Sequence, residues 1–302
     1  MDRALMLERI QEKIGAFLKE VQSPQALHMA QNLGVGKMLR SRLILTICAK
    51  HPKLVDFCAI IEMIQTASLL HDDVIDNAAT RRGHESLNYT FGNTNAIMLG
   101  DIFYSKAFCA LADFAKPVIE VVAQSVVALS RGEIKDTQMA EAFNPNQDFY
   151  IDMVADKSAA LIVASSGGAA LLAGLDFEKY AAFGRNFGIA FQIIDDLLDI
   201  TQPKEVLGKP AFSDFKEGKS TLPYILLHQR LNPAEQGILK GHFKSPKEEA
   251  KLWCSEKFQE HNIVQATLQE AKAYTYKALE AIRGENNQAL EAMALRVLER
   301  QF

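Results

Sequence analysis

Apolar residues recur along most of this chain at the spacing of an α-helix. One stripe over residues 60–74 has an apolar side chain every three or four positions, and similar periodicity marks residues 118–130, 158–172, 180–200 and 222–230. Alternating apolar and polar runs between tight glycine turns, which are typical of β-hairpins, do not occur. The pattern predicts an all-α bundle of many helices, with functional groups projecting from facing helices into its core.

The interruptions of this pattern are short. With 302 residues, of which 48% are apolar and 23% charged, the composition is globular and suffices for one large domain or two ordinary ones. No stretch resembles a long linker, and no segment is of low complexity, so we predict a single domain over residues 1–302. The breaks lie at Ser23-Pro24, Phe91-Gly92-Asn93, Asn144-Pro145-Asn146, residues 202–218 and Asn232-Pro233.

Charge and cysteine content bound the protein's environment. A net charge of −4 gives no sign of a general nucleic-acid-binding surface. The four cysteines are scattered and no signal peptide precedes them, which favours reduced thiols in a cytoplasmic protein. Residues 1–21 are amphipathic and carry acids, which argues against a transit peptide. Residues 158–175 are uncharged but consist mostly of Ala, Gly and Ser, which predicts a buried helix and no transmembrane span.

The most specific feature is an acidic motif that occurs twice, as DDVID at 72–76 and as DDLLD at 195–199. Residues i and i+4 point the same way on a helix, so each copy presents at least two carboxylates from one face, where like charges repel. Oxygen ligands suit a hard cation, and Mg²⁺ usually completes its octahedron with water and phosphate oxygens. One copy alone fits a solvated acidic face, whereas two copies on apolar helices favour a metal site.

Basic residues follow each acidic motif. Arg81-Arg82-Gly83 comes after the first copy, and Lys209 and Lys219 come after the second. This order suits a site where metal ions and basic side chains together bind a phosphate. Further candidates are Lys157, which enters a long apolar helix and needs a partner there, Gln192, which precedes the second motif by one turn, and the pair Lys37 and Arg40, which also fits a solvated helix start.

Together these segments resemble the trans-isoprenyl diphosphate synthases. LLHDDVID with RRG, FQIIDDLLD and GKPAFSDFKEGKSTLP look like that family's two aspartate-rich motifs and basic regions, and the resemblance runs from about residue 37 to residue 223. It implies the all-α isoprenoid synthase fold, a multi-helix bundle around a central apolar cavity, usually as a homodimer. It also implies condensation of isopentenyl diphosphate onto an allylic diphosphate such as farnesyl diphosphate. Transient membrane contact for product release is compatible with the sequence and is not decided by it.

The resemblance implies roles for the residues of these motifs. Mg²⁺, with Mn²⁺ as a substitute, would be held directly by Asp72, Asp76 and Asp195, while Asp199, counted with the metal residues, would act through water or hydrogen bonds, as would Asp73 and Asp196. Ser158, the Gln192 carbonyl and the Lys157 backbone would stabilise passing positive charge, and His71 would be structural. The allylic diphosphate would be bound by Arg81, Lys157, Lys209 and Lys219, and isopentenyl diphosphate by Lys37, Arg40, Gln65 and Arg82.

This sequence departs from the family pattern at three positions. Ser41 stands where proline is usual, Ser158 where threonine is common, and Phe212 where glycine is frequent. The residues just below the first aspartates, Ala67 and Ser68, are the first that a growing chain would meet on this helix. Short-chain members place aromatic bulk there, whereas both residues are small here. We therefore predict a long product, hexaprenyl to decaprenyl with octaprenyl as the single best estimate, for a quinone side chain.

Competing interpretations remain at this point. A short-chain geranylgeranyl or farnesyl diphosphate synthase has all the motifs found in this chain. It differs in the aromatic bulk below the first aspartates, which this chain lacks. A class I terpene cyclase normally mixes Asn, Ser or Thr, and Glu in its second metal motif, and a regulatory subunit tends to lose one aspartate motif. A di-iron carboxylate bundle needs Glu-x-x-His pairs, which this sequence lacks. A purely structural helical protein would explain neither acidic motif.

Overall fold

The computed structural model describes residues 3–34, 36–81, 84–202 and 212–299. Within these ranges nearly all regular structure is helical, which confirms the predicted all-α fold. The strands of this part are a short antiparallel pair, β1 (Thr80–Arg81) and β2 (His84–Glu85). The helices are α1 Arg3–Lys19, α2 Pro24–Gln31, α3 Leu39–Ile47, α4 Leu54–Ile75, α5 Leu87–Phe91, α6 Asn93–Leu111, α7 Lys116–Met139, α8 Gln147–Val154, α9 Ala160–Ala173, α10 Phe177–Thr201, α11 Ser213–Glu217, α12 Leu222–Arg230, α13 Pro233–His242, α14 Glu248–Glu260, α15 Ile263–Ala281 and α16 Gln288–Leu298, with a π-helical turn at Ala155–Ala159.

The chain divides into two compact units. Unit 1 comprises Met1–Val126 and Ala164–Tyr180, and unit 2 comprises Val127–Val163 and Ala181–Phe302. The first acidic motif belongs to unit 1 and the second to unit 2. A single domain over residues 1–302 stays a prediction.

Helix α4 forms the centre of unit 1, where it packs most extensively against α6 and also against α1 and α3. The stripe predicted from the sequence is buried, with Ile60 and Ile64 fully inaccessible. Small residues allow close approach: a Cβ added at Gly100 of α6 would lie 2.4 Å from the His71 ring, and one at Gly168 would lie 2.4 Å from the Phe57 ring. The contact at Gly100 fixes the end of α4 that carries the first acidic motif, whereas the contact at Gly168 lies near the start of that helix.

One helix of the described ranges, α4, is long and apolar enough to cross a membrane by length and composition. The core helix of a soluble protein passes the same test, and more than half of the apolar stretch of α4 is buried inside the protein. The uncharged segment noted in the sequence covers the end of the π-helical turn and all of α9, and its Ala164, Ser165 and Ala169 are fully buried. Length and composition are therefore weak evidence for a span.

Unit 2 holds the second acidic motif on α10, whose apolar face includes the fully buried Ile193, Ile194 and Leu197. A Cβ added at Gly188 of this helix would lie 2.6 Å from the Cα of Ala159, so α10 contacts the π-helical turn directly. Because the turn carries Lys157 and Ser158, this close contact fixes the backbone position from which those two side chains project.

Candidate active site

The first acidic motif ends α4 in unit 1. Asp72 is half-buried and Asp76 is exposed, while Asp73 is buried. The Asp76 backbone N–H donates to the Asp72 carbonyl at 2.8 Å, which keeps these two residues one helical turn apart. The outer carboxylates therefore share one side of the helix end, near solvent, as the sequence predicts.

The inner aspartate of the first motif is held by Arg81 of β1. The Arg81 Nε and one terminal nitrogen each lie 2.6 Å from the same Asp73 oxygen. A buried carboxylate needs such compensation, because its charge has lost the solvation that water provides. Arg81, predicted to bind diphosphate, thus also anchors the motif, and about a third of its side chain remains exposed.

Two residues of α6 that sequence reasoning missed complete the surroundings of the first motif. Burial, with the nearby charges of Asp72 and Asp101, raises the pKa of Tyr104 to about 12. The His71 Nε2 lies 3.2 Å from the Ile97 carbonyl and 3.5 Å from an Asp101 oxygen. These bonds agree with the structural role predicted for His71. The available signal was the spacing of Asp101 and Tyr104, which places both on one face of an apolar helix.

A cavity of about 640 Å³ in unit 1 brings together some of the predicted substrate residues. Gln65 and Arg81 line it, as do Gly36 and Met38, the neighbours of Lys37. Lys37 and Arg40 adjoin the cavity in sequence without lining it. Arg82 lies outside the described residues. Helices α1, α2, α4, α5 and α6, together with β2, supply most of the remaining walls, which are largely apolar.

In unit 2 the second motif is organised around Asp196. This buried carboxylate accepts a hydrogen bond from the Tyr150 hydroxyl at 2.5 Å and one from the Gln192 amide nitrogen at 2.8 Å. The Gln192 carbonyl in turn accepts from the Ser158 hydroxyl at 2.7 Å. Burial, followed by the charge of Asp214, raises the pKa of Asp196 well above the usual carboxyl value. Ser158 and Gln192, to which the family resemblance gives a shared role in stabilising positive charge, thus belong to one hydrogen-bonded chain.

The two outer aspartates of the second motif differ in their surroundings. Asp195 is exposed, as a direct metal ligand requires, whereas Asp199 is only 1% exposed. One Asp199 oxygen accepts from the Ser213 hydroxyl at 2.9 Å and the other from the Asp214 N–H at 3.3 Å. These bonds support the indirect role predicted for Asp199.

The loop after the second motif uses Phe212 where the family often has glycine. Phe212 has a left-handed backbone with φ of +63°, which glycine adopts without steric cost. Its N–H donates to the Asp199 carbonyl at 2.9 Å, and its ring stacks on Phe258 at 6.1 Å. The Lys219 N–H donates to the Asp214 carbonyl at 2.8 Å, while Lys209 lies outside the described residues. The ring packing offsets the strain of the left-handed residue.

Lys157 has two acidic partners on α7 that the sequence did not reveal. Its Nζ lies 2.7 Å from a Glu133 oxygen and 2.5 Å from an Asp136 oxygen. The preceding Asp156 is bound by Arg131 and by Lys135, and these bonds lower its pKa despite partial burial. The predicted need of Lys157 for a partner is therefore met within the protein.

The acidic side chains of the motifs fit a metal ion that takes few ligands from the protein. No group of three or more His, Cys, Asp or Glu side chains able to hold a metal occurs in the described part of the chain. Mg²⁺ is commonly held by one or two carboxylates together with water and substrate phosphates, and rarely by a cage of protein ligands alone. Paired carboxylates near solvent, as at Asp72 and Asp76, fit that kind of binding.

The same chain architecture occurs in solved and curated proteins. The octaprenyl pyrophosphate synthase of Helicobacter pylori, a crystal structure, is 48% identical with a TM-score of 0.95, over 99% of this chain and 100% of that one. A probable mitochondrial hexaprenyl pyrophosphate synthase of Neurospora crassa is 37% identical over 257 residues, 80% of this chain and 56% of its own. This chain thus spans little more than half the length of that relative.

A third relative matches almost end to end. The short chain isoprenyl diphosphate synthase of Methanothermobacter thermautotrophicus is 31% identical over 310 residues, 97% of this chain and 95% of its own. The model of the polyprenyl synthetase family matches residues 25–257. With both acidic motifs inside the matched region, the chain belongs to the polyprenyl synthetase family.

Proposed function

We propose that this protein is a trans-polyprenyl diphosphate synthase. It extends an allylic diphosphate, such as farnesyl diphosphate, with isopentenyl diphosphate units to a long all-trans product near octaprenyl in length. The observation that carries the proposal is the pair of complete acidic motifs, in which Asp72, Asp76 and Asp195 lie at or near the protein surface while Asp73 and Asp196 are buried and hydrogen-bonded. Family membership supports the reaction class, and the 48% identity to an octaprenyl synthase supports the long product.

In this proposal Asp72 and Asp76 of the first motif, and Asp195 of the second, are the residues that would hold Mg²⁺ or Mn²⁺. When bound, the metal supplies positive charge that stabilises the departing diphosphate. Asp73, Asp196 and Asp199 keep the motifs in shape through the hydrogen bonds described above. Each motif would thus present two kinds of carboxylate, accessible ones for the metal and buried ones that support them, with Asp199 among the buried ones.

The protein's own cations bind the two substrates. Lys157, Arg81, Lys219 and Lys209 bind the allylic diphosphate, whose C1–O bond breaks with the electron pair leaving on pyrophosphate. Lys37, Arg40, Gln65 and Arg82 bind isopentenyl diphosphate, whose double bond attacks C1 of the allylic cation. A proton then passes from the new chain to pyrophosphate. The hydrogen-bonded chain of Ser158, Gln192 and Asp196 fixes the dipoles near the transient positive charge.

We further propose a cytoplasmic homodimer that contacts a membrane only while releasing product. Val127 and Ile134 lie seven residues apart on one face of α7 and are 57% and 60% exposed, which favours a helix–helix contact with a second copy. All four cysteines are free thiols, consistent with a reducing compartment. Light scattering on the purified protein measures the mass directly, and a monomer would overturn the dimer.

The experiment for the activity combines purified protein with Mg²⁺, farnesyl diphosphate and isopentenyl diphosphate. We expect pyrophosphate release, incorporation of isopentenyl units and products of hexaprenyl to decaprenyl length. Asp72→Asn and chelation with EDTA are the controls that abolish turnover. Absence of pyrophosphate release would overturn the synthase assignment, and release without incorporation would indicate a cyclase. Products that stop at geranylgeranyl would favour the short-chain alternative.

A further inference from the structure

One turn of α7 and the π-helical turn at Ala155–Ala159 are joined by oppositely oriented ion pairs. Lys157 contacts Glu133 and Asp136, and the three side chains are 21%, 15% and 12% exposed. The adjacent Asp156 instead contacts two cations of the same α7 turn, Arg131 and Lys135. Asp156 is therefore paired with two cations, and the neighbouring Lys157 with two anions. A shift of the turn by one residue would bring like charges together.

The backbone beneath these ion pairs allows little movement. A Cβ added at Gly132 would lie 2.3 Å from the backbone nitrogen of Lys157 and 2.6 Å from its Cα, so the two segments touch at this glycine. The backbone of Lys157 is therefore held in place, and the ion pairs with Glu133 and Asp136 set the direction of its ammonium group. A long lysine side chain otherwise samples many rotamers, and holding it in one of them removes that freedom before the substrate arrives.

The two carboxylates also oppose anion binding. They attract the same ammonium that a diphosphate would attract, and they repel the diphosphate itself at short range. Repulsion of this kind arises whatever the role of a nearby carboxylate, so a change in kcat is the effect that distinguishes orientation of Lys157. The geometry thus predicts two opposed effects of the carboxylates: they orient Lys157, and they lower the affinity for the diphosphate.

We propose that Glu133 and Asp136 are positioning residues that orient Lys157 toward the allylic diphosphate. This inference rests on the proposed function, because it takes Lys157 as a diphosphate ligand. It adds two acidic residues to a site otherwise described by its cations, and it gives them a measurable effect on substrate affinity.

The test compares Glu133→Gln and Asp136→Asn with the wild type in Mg²⁺. Calorimetric titration with inorganic pyrophosphate gives affinity without turnover, and steady-state kinetics give kcat and KM for farnesyl diphosphate. We expect pyrophosphate binding to tighten roughly threefold to tenfold, the range of one partly exposed charge pair, and KM to fall with it. We expect kcat to fall about tenfold or more, because Lys157 loses its orientation.

The matched control is Asp152→Asn, which removes a carboxylate that pairs with Lys135 in the same cluster but does not contact Lys157. It should leave pyrophosphate affinity and kcat at wild-type values. Asp136→Glu keeps the charge and should restore the wild-type pyrophosphate affinity, which also covers the case in which a neutral variant fails to fold. Pyrophosphate binding that is unchanged or weaker in both neutral variants would overturn the inference. An inactive wild type would instead count against the proposed function.

Discussion

Ser41 donates two hydrogen bonds to a single oxygen of Glu62, one from its backbone N–H at 3.0 Å and one from its hydroxyl at 2.7 Å. Ser41 lies in the first turn of α3, where an N–H has no acceptor within the helix. Proline, the usual residue of the family at this position, could supply neither donor. Glu62 lies on the wall of the 640 Å³ cavity, one turn before Gln65. The departure from the family pattern is therefore accompanied by a bond that joins α3 to α4.

Replacing Ser41 by proline should remove both donors to Glu62 at once. We expect a loss of about 1–3 kcal/mol in the free energy of unfolding, because a half-buried carboxylate loses its partners. KM for isopentenyl diphosphate should rise, since Arg40 and Gln65 flank the bond, while KM for farnesyl diphosphate should change less. Denaturant titration and initial-rate kinetics measure these effects. Ser41→Ala keeps the N–H, so its stability should lie between those of the wild type and the proline variant. A proline variant with the stability and KM of the wild type would contradict the assigned bond.

Much of the fold could be predicted from local patterns in the sequence. The stripe that leads into the first acidic motif is buried along α4, and residues 118–130 lie inside α7, as periodicity indicated. Residues 158–172 were predicted as one helix, yet the structure places a π-helical turn at Ala155–Ala159 before α9 begins. Periodicity could not reveal that turn, because the α7 groups that contact it lie more than twenty residues away.

The candidate site was predictable in composition and much less so in its pairings. The sequence identified Arg81 as a phosphate-binding cation and Lys157 as a cation that needs a partner, with an anionic substrate as one candidate. The structure gives each a carboxylate of the protein: Asp73 for Arg81, and Glu133 with Asp136 for Lys157. Opposite charges far apart in sequence can pair in many ways, and only the packing of helices selects among them.

Gly132→Ala should be costly because the new methyl group would meet backbone atoms, which cannot rotate away as a side-chain end can. We expect a loss of about 1–3 kcal/mol of stability and a fall in kcat, since the turn carrying Lys157 must move. The matched control is Gly237→Ala in α13, where nothing lies within 4 Å of the added Cβ. That variant should gain roughly 0.5–1 kcal/mol from helix propensity alone. Thermal unfolding of both variants measures the contrast, and equal effects would refute it.

Asp156→Asn should make the stability of the protein less dependent on acid pH. Hydrogen bonds from Arg131, together with Lys135, lower the pKa of Asp156, so its ionised form stabilises the folded state. That stabilisation is complete above the unfolded carboxyl pKa of about 4 and disappears as the pH falls through the lower folded value. We expect the variant to lose about 1–2 kcal/mol at pH 7. This difference should shrink as the pH falls below about 4 and vanish below the folded pKa of Asp156. Denaturant titrations across that range would contradict this assignment if the difference were constant.

Ser68→Phe should shorten the product, whereas Ala67→Phe should chiefly destabilise the protein. Both positions were predicted to meet the growing chain, but Ala67 is fully buried and Ser68 is only half-buried. An aromatic ring at Ala67 has no space to occupy, and overpacking a core typically costs about 1–3 kcal/mol. At Ser68 the lost bond is one hydroxyl contact to the Gln65 carbonyl at 3.0 Å, so the fold should tolerate the ring.

The product lengths and the unfolding temperatures of the two Phe variants together decide whether Ser68 limits chain growth. Mass spectrometry of products made from farnesyl diphosphate should show the Ser68→Phe distribution moved toward geranylgeranyl, with an unfolding temperature near the wild type. Ser68→Ala keeps the side chain small and should leave the product unchanged, which isolates bulk from loss of the hydroxyl. If Ser68→Phe still makes the wild-type product, the first residues below the aspartates do not limit chain growth. The inference of a long product from two small side chains would then fail, and product length would have to be set by bulk elsewhere.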